Sequence, residues 1–163
     1  MNALKTILNR KSIPLMSDPK PTSKELKQIY RAALRAPDHG ALKPWKFIEV
    51  SGDDRKKLGK IFVSITKKSK KNPSNQLLDK MKNAPFRAPL IIIVVANIKK
   101  DKRIPKIEQL LSAGAAAQNI MLASSSLGYY SIWRTGHLAF NTDINKVKFI
   151  KKQYWSIRYK LNI

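Results

Sequence analysis

Cysteine does not occur anywhere in the 163 residues. Its absence removes thiolate zinc sites, iron–sulfur clusters, cysteine nucleophiles and disulfide frameworks together. Histidine is nearly as scarce, at 2 residues, and Asp plus Glu number 10 against 33 Lys plus Arg, for a formal net charge of +23. No Gly-x-Gly-x-x-Gly or Walker sequence is present, which argues against the commonest dinucleotide and nucleotide folds. The first ten residues, MNALKTILNR, have no apolar run before their charges, so no signal peptide is expected. The longest apolar run, APLIIIVVA over residues 88–96, falls far short of the roughly 20 residues that a membrane helix needs. A cytoplasmic location is the expectation.

What remains is a globular composition. Hydrophobic residues make up 43% and aromatics 8%, too apolar for a disordered polycation. At this length a single domain over 1–163 with its own core is expected. The charge invites a polyanion-binding reading. Yet 25 of the 33 cations are Lys and only 8 are Arg, while Ile (18) and Asn (10) are abundant. Those three residues share A/T-rich codons, so a biased genome produces this composition without selection for binding. Arg, the better residue for bidentate phosphate contacts, is the scarce one. A solvated Lys-rich surface is favoured over a nucleic-acid footprint.

Periodicity outlines the elements. Ala3, Leu4, Ile7 and Leu8 predict a short helix ending near Asn9. A Pro-punctuated connection follows over 14–21. Thr22-Ser-Lys-Glu25 has the form of a capping box ahead of an apolar stripe of Leu26, Ile29, Tyr30, Ala33 and Leu34. That helix should stop before Pro37, and residues 37–40 should turn. Residues 45–50 predict a strand. Asp53-Asp54 should cap a helix carrying Leu58, Ile61, Phe62 and Ile65. Residues 67–74 read as a charged linker and 76–81 as a further helical turn. Residues 89–96 are too apolar to alternate, which fits a central strand covered on both faces. Residues 107–127 suit a long helix stopped by Gly128, with Ala113, Ala115, Ala116 and Ala117 permitting close approach. Residues 130–134 suggest a short strand. Helices interspersed around a buried strand make the class α/β or α+β.

Three clusters carry potential chemistry. Arg10-Lys11-Ser12 closes the first helix, where cations also complement a helix dipole. Arg35-Ala-Pro-Asp-His39-Gly precedes Pro44-Trp45, and reads equally as a helix-ending loop with a surface His. Trp133-Arg134-Thr135-Gly136 could be a strand-end turn around a buried Trp. Three of the eight Arg fall inside these clusters, and an Arg that persists in a Lys-dominated chain suggests use of its planar fork. A dianionic phosphate joined to an extended polar ring system would use such groups.

The chain is identified as a resemblance to the flavin-dependent nitroreductases, in particular their short YdjA-type branch. The segments Arg10-Lys-Ser12, Arg31-Ala-Ala-Leu-Arg-Ala-Pro-Asp-His39 and Pro44-Trp-Lys-Phe47 carry it. It continues through Asn83-Ala-Pro-Phe-Arg-Ala-Pro-Leu-Ile-Ile92, Glu108 with Ser112-Ala-Gly114, and Gly128 with Ile132-Trp-Arg-Thr-Gly136, covering about residues 1–147. The resemblance implies an α+β fold with a sheet between helices, assembled as a homodimer with FMN at the subunit interface. Arg10, Lys11 and Ser12 match the first FMN-contacting triplet. Arg35 matches a position that reaches the FMN of the other subunit, and His39 a further flavin contact. Trp133, Arg134 and Thr135 match the last FMN segment, with Thr where the branch has Ser. Ala123, Ser124, Ser125, Ser126, Leu127 and Gly128 match a stretch linked with NAD(P)H. The implied reaction is ping-pong: NAD(P)H reduces the flavin at N5, and a nitroaromatic or quinone-like acceptor reoxidises it. No catalytic side chain and no metal are implied, although His39 could donate a proton.

Residues 148–163 depart from the family. Where an apolar strand is expected, the chain reads Lys151-Lys-Gln-Tyr-Trp-Ser-Ile-Arg-Tyr-Lys-Leu-Asn-Ile163. Its alternation still permits a strand, but a truncated or rewritten end could weaken the dimer or FMN binding. Two alternatives therefore stand: an inactive or degraded flavoprotein paralogue, and a basic surface-binding protein acting on nucleic acid.

Overall fold

Residues 45–51 alternate between two apolar faces, and residues 90–96 are apolar throughout. In the computed structural model, which describes residues 2–141, they form β1 (Trp45–Ser51) and β2 (Leu90–Ala96). The strands are antiparallel, in register from Trp45 opposite Ala96 to Ser51 opposite Leu90. A lone two-stranded ribbon is marginal in water, so helices must cover it, and they do so on both sides. Trp45 and Phe47, with Leu90, Ile92 and Val94, face α2 (Ser23–Ala33) and α5 (Lys106–Ser126). The alternate residues, Ile48 and Val50 with Ile91, Ile93 and Val95, face α3 (Asp54–Ser69) through Leu58, Ile61 and Phe62. The unbroken apolar run of β2 thus reflects burial on both faces. Its expected central position is not found among the described residues, where β1 is its sole neighbour. The class is α+β, a sheet between helices.

The α2–α5 pair forms the first layer. The capping box at Thr22 is present as the sequence indicates: Glu25 N donates to Thr22 Oγ1 at 3.3 Å, and Thr22 N donates to Glu25 Oε2 at 2.8 Å. Ile29, Tyr30 and Ala33 are fully buried, and Tyr30 stacks on Phe47 with ring centroids 5.5 Å apart. Small side chains bring α5 close, with Ala113 and Ala116 buried in the same cluster. The two helices run antiparallel. Tyr129 Oη, just past the end of α5, donates to Glu25 Oε2 at 3.0 Å, and Asn119 Nδ2 donates to Ala32 O at 3.0 Å.

Four expectations change. The linker expected over 67–74 begins later, because α3 continues to Ser69; Lys is a good helix former and its charge suits a helix C-terminus. Asp53 stands at the N-cap of α3 without a side-chain capping bond, its carboxylate pairing with Lys56 Nζ at 2.9 Å instead. The turn expected over 76–81 is a full helix, α4 (Asn75–Asn83), capped by Ser74 Oγ. Among the described residues, 130–134 do not form a strand: one parallel bridge, Ser12 to Ser131, is what forms there. Short helices α1 (Ala3–Asn9) and α6 (His137–Phe140) complete the described chain. The alternating segment over 154–161 lies outside the described residues.

Candidate functional site

The long helix α5 acts as a ruler. Its 21 residues span about 30 Å at 1.5 Å each, and two of the predicted clusters lie at its opposite ends.

At the C-terminal end, Gly128 adopts φ +86° and turns the chain out of the helix. The strand-like segment beyond it meets the chain leaving α1 at the Ser12–Ser131 bridge, where Ile13 N donates to Ser131 O at 3.4 Å. This junction gathers Asn9, Arg10, Lys11, Ser125, Gly128, Tyr129, Tyr130 and Ser131 around a recess of about 130 Å³. Two cations and no carboxylate line it. Arg10 Nη1 donates to Ser12 Oγ at 3.3 Å. Ser131 Oγ is buried and has no hydrogen-bond partner within the described chain, an arrangement that proteins rarely leave unexplained.

At the N-terminal end, His39 opens a 3-10 turn (His39–Ala41) that lies against the loop leading into α5. His39 Nδ1 and Glu108 Oε2 are 2.7 Å apart. Gly40 has φ +69°, a left-handed conformation that favours glycine, and its Cα packs against the side-chain tip of Ile104. Asp38 Oδ2 accepts from Lys43 N at 2.7 Å. Beneath them the buried Gln109 side chain ties the loop down: Oε1 accepts from Lys99 N at 2.8 Å, while Nε2 donates to Lys99 O at 3.1 Å and Ile104 O at 3.3 Å.

The other predicted residues fall between or beside these ends. Arg35 is exposed just beyond the end of α2, its backbone N donating to Ala32 O at 3.1 Å. Trp133 is 49% exposed rather than buried, its ring edge over Gly114 in the middle of α5. Arg134 and Thr135 are exposed. Within 123–128, Ser125 and Gly128 line the recess. The hydroxyls of Ser124 and Ser126 are spent inside the helix, donating to Ile120 O and Ala123 O at 2.8 Å each. Sequence reasoning overlooked Ser131, Tyr130 and the Glu108–His39 contact. A buried serine with no partner has no sequence signature, and the pair joins residues 69 positions apart.

A second recess, about 610 Å³, lies elsewhere, at the α3–α4 junction. Its walls include Lys67, Lys70 and Lys71 and none of the predicted site residues. Among the described residues no helix is long and apolar enough to cross a membrane, and no group of three or more metal-ligating side chains occurs.

Comparison with known proteins gives this geometry a context. The sequence profile of the Nitroreductase family matches residues 7–158. The "Putative NAD(P)H nitroreductase YdjA" of Escherichia coli is 38% identical over 138 residues, covering 85% of this chain and 74% of that protein. A "Putative NAD(P)H nitroreductase" of Haemophilus influenzae is 32% identical over 154 residues, covering 94% and 83%. Among solved structures, a nitroreductase-like protein from Bacillus cereus superposes with a TM-score of 0.76 at 20% identity, covering 93% of this chain and 79% of that one. The FMN-dependent nitroreductase NfnB from Mycobacterium smegmatis, in complex with NADPH, gives a TM-score of 0.70 at 16% identity, covering 93% and 82%.

Proposed function

We propose that this chain, which belongs to the nitroreductase family, is an FMN-dependent NAD(P)H oxidoreductase that works as a homodimer. The observation that carries the reading is the recess at the C-terminal end of α5. There the Arg10-Lys11-Ser12 triplet and the segment leading to Trp133 are brought together around a buried hydroxyl without a partner. Two cations, one unpartnered buried hydroxyl and no carboxylate suit a phosphorylated, oxygen-rich ligand. The residues present therefore fit FMN.

The distance along α5 supports the dimer. Glu108 and Ser125 are 17 residues apart, about 25 Å along the helix, so one ligand in the recess is out of reach of His39 on the same chain. A two-fold axis that lays two copies of α5 antiparallel brings the His39 end of one beside the Arg10 end of the other. The exposed apolar side chains suit such a contact: Leu4, Ile7 and Leu8 on α1, Ile107 and Leu111 on α5, and Phe140 on α6 are all more than half exposed in the single chain. Large apolar side chains left this exposed on a folded protein support an interaction surface.

Bound FMN supplies the redox chemistry, ping-pong transfer from NAD(P)H through flavin N5 to a nitroaromatic or quinone-like acceptor. The protein's part is to bind, orient and tune. Arg10 and Lys11 offer fixed positive charge to anionic oxygens, and Ser12 and Ser131 offer hydroxyls. Trp133 provides an apolar cover over Gly114. Within the 123–128 stretch, Ser125 and Gly128 line the recess, which supports a nucleotide contact at those two residues.

The purified protein is expected to run as a dimer, to absorb in the visible flavin bands and to bleach on addition of NADH or NADPH. A colourless protein that takes up no added FMN overturns the reading.

A further inference from the structure

The contact between His39 and Glu108 deserves an explanation that its place in the helix does not supply. Glu108 is the third residue of α5, the position from which a Glu ordinarily reaches back to the N-cap backbone N–H. Here the N-cap is Pro105, which has no N–H to donate. The carboxylate is thereby released from capping, and it turns to His39 at 2.7 Å instead. Both partners stand on a braced base. Gln109, the next residue of α5, anchors the incoming loop through three hydrogen bonds. Gly40, next to His39, is seated against the buried Ile104 of that same loop.

The short distance fixes the proton. An ionised carboxylate only accepts hydrogen bonds, so the proton between the two groups belongs to His39 Nδ1. A neutral imidazole has one N–H, which leaves Nε2 as a bare acceptor. We propose that Glu108 is a positioning residue that locks His39 in the Nδ1–H tautomer, so that Nε2 is offered as a hydrogen-bond acceptor to FMN across the dimer. The inference rests on the flavin-site reading above. Its chemical sense lies in the division of labour. FMN is rich in acceptor oxygens, which Arg10, Lys11 and the serine hydroxyls serve, but its donors are few: one imide N–H and the ribityl hydroxyls. An acceptor held on a rigid base is what those donors require. Of the charged groups, Glu108 contacts His39 directly, and the carboxylate of the adjacent Asp38 is engaged by Lys43 N.

The test begins on the ligand-free protein, by long-range proton–nitrogen correlation of the imidazole rings at about pH 9, well above the ordinary histidine range. His137→Gln assigns the signals, since the chain has 2 histidines. His39 is expected to carry its proton on Nδ1 in the wild type and in Glu108→Gln, whose amide oxygen still accepts. In Glu108→Ala it should revert to the Nε2–H form that free histidine prefers. FMN titration is then expected to show roughly tenfold weaker binding for Glu108→Ala and near-wild-type binding for Glu108→Gln, the scale on which orienting partners act. A wild-type ring protonated on Nε2, or a tautomer indifferent to Glu108→Ala, overturns the proton assignment. A tautomer that switches while FMN affinity stays level overturns the positioning role. If the tautomer switches but no version takes up FMN, the flavin reading falls and the Glu108 assignment stands.

Discussion

At the N-terminal end of α5, His39, Glu108, Asp38 and Gln109 already have partners within the chain. At the C-terminal end, Ser131 Oγ is buried with none, and the cations Arg10 and Lys11 line a recess without a carboxylate. The first end is ordered by folding itself. The second is left with groups that a ligand would satisfy. In a two-fold assembly the contrast is useful, because each composite site then receives one rigid half and one receptive half. Ordering costs fall mainly on the half that gains the new contacts.

The comparison can be broken first at its rigid end. Gln109→Ala removes three hydrogen bonds from a buried side chain, each worth about 1 kcal/mol net. Urea denaturation should register a loss of about 3 kcal/mol. A loss below about 1 kcal/mol means that the loop over 97–105 is held by Ile104 alone.

The receptive end should respond in binding rather than in stability. Arg10→Ala is expected to weaken FMN affinity by about 10- to 100-fold, the range of a lost charge-assisted hydrogen bond. Unfolding of the ligand-free protein should move by less than about 0.5 kcal/mol, as for other surface substitutions. Equal losses in both measurements would erase the distinction between the ends.

Ser131→Ala sharpens the contrast, because its two effects have opposite signs. Removing a buried hydroxyl that has no partner should leave the ligand-free protein unchanged or up to about 1 kcal/mol more stable. The same change should reduce FMN affinity several-fold in a fluorescence titration. A destabilised ligand-free protein shows instead that the hydroxyl serves the fold.

The smallest expected effect is a pH dependence that reaches the receptive end through α2. Hydrogen bonds from the Thr22 hydroxyl and backbone N–H hold the Glu25 carboxyl below its ordinary value, against a smaller opposing effect of desolvation. A carboxyl so depressed stabilises the fold fully above its unfolded-state value, and the contribution fades as pH falls through the folded-state value. Tyr129 Oη also donates to Glu25, so Thr22→Ala should flatten the acid limb of a stability–pH curve. An unaltered acid limb would detach the capping box from the acid response.

Much of the fold was legible because its signals are local. The Thr22–Glu25 box, the stop at Gly128 and the unbroken apolar run of β2 each depend on a few adjacent residues, and each appears where the pattern places it. Errors arose where the local pattern was ambiguous. Lys67 and Lys68 resemble a linker by charge, yet lysine also extends helices. Residues 130–134 have strand-like composition, but a strand exists only with a partner, and Ser12 supplies a single bridge. The candidate site residues were named on a different ground, motif resemblance; of these, Arg10 and Lys11 line the recess, whereas residues 133–135 are exposed beside α5. The unpartnered Ser131 and the pairing of His39 with Glu108 are products of three-dimensional closure and leave no trace in neighbouring letters.

The seat of Trp133 over Gly114 has an optical consequence. Trp45 is sealed in the core at 7% exposure, whereas Trp133 stands half in solvent beside the open face of α5. Of the three tryptophans, the two within the described residues thus differ: the indole of Trp45 sits in an apolar interior and that of Trp133 stands in solvent over the middle of α5. With Trp155 replaced by Phe, an isoalloxazine seated near that open face would drain the red-shifted part of the emission and leave the blue-shifted part comparatively bright. In that variant the ratio of the two emissions would report flavin uptake without any added label.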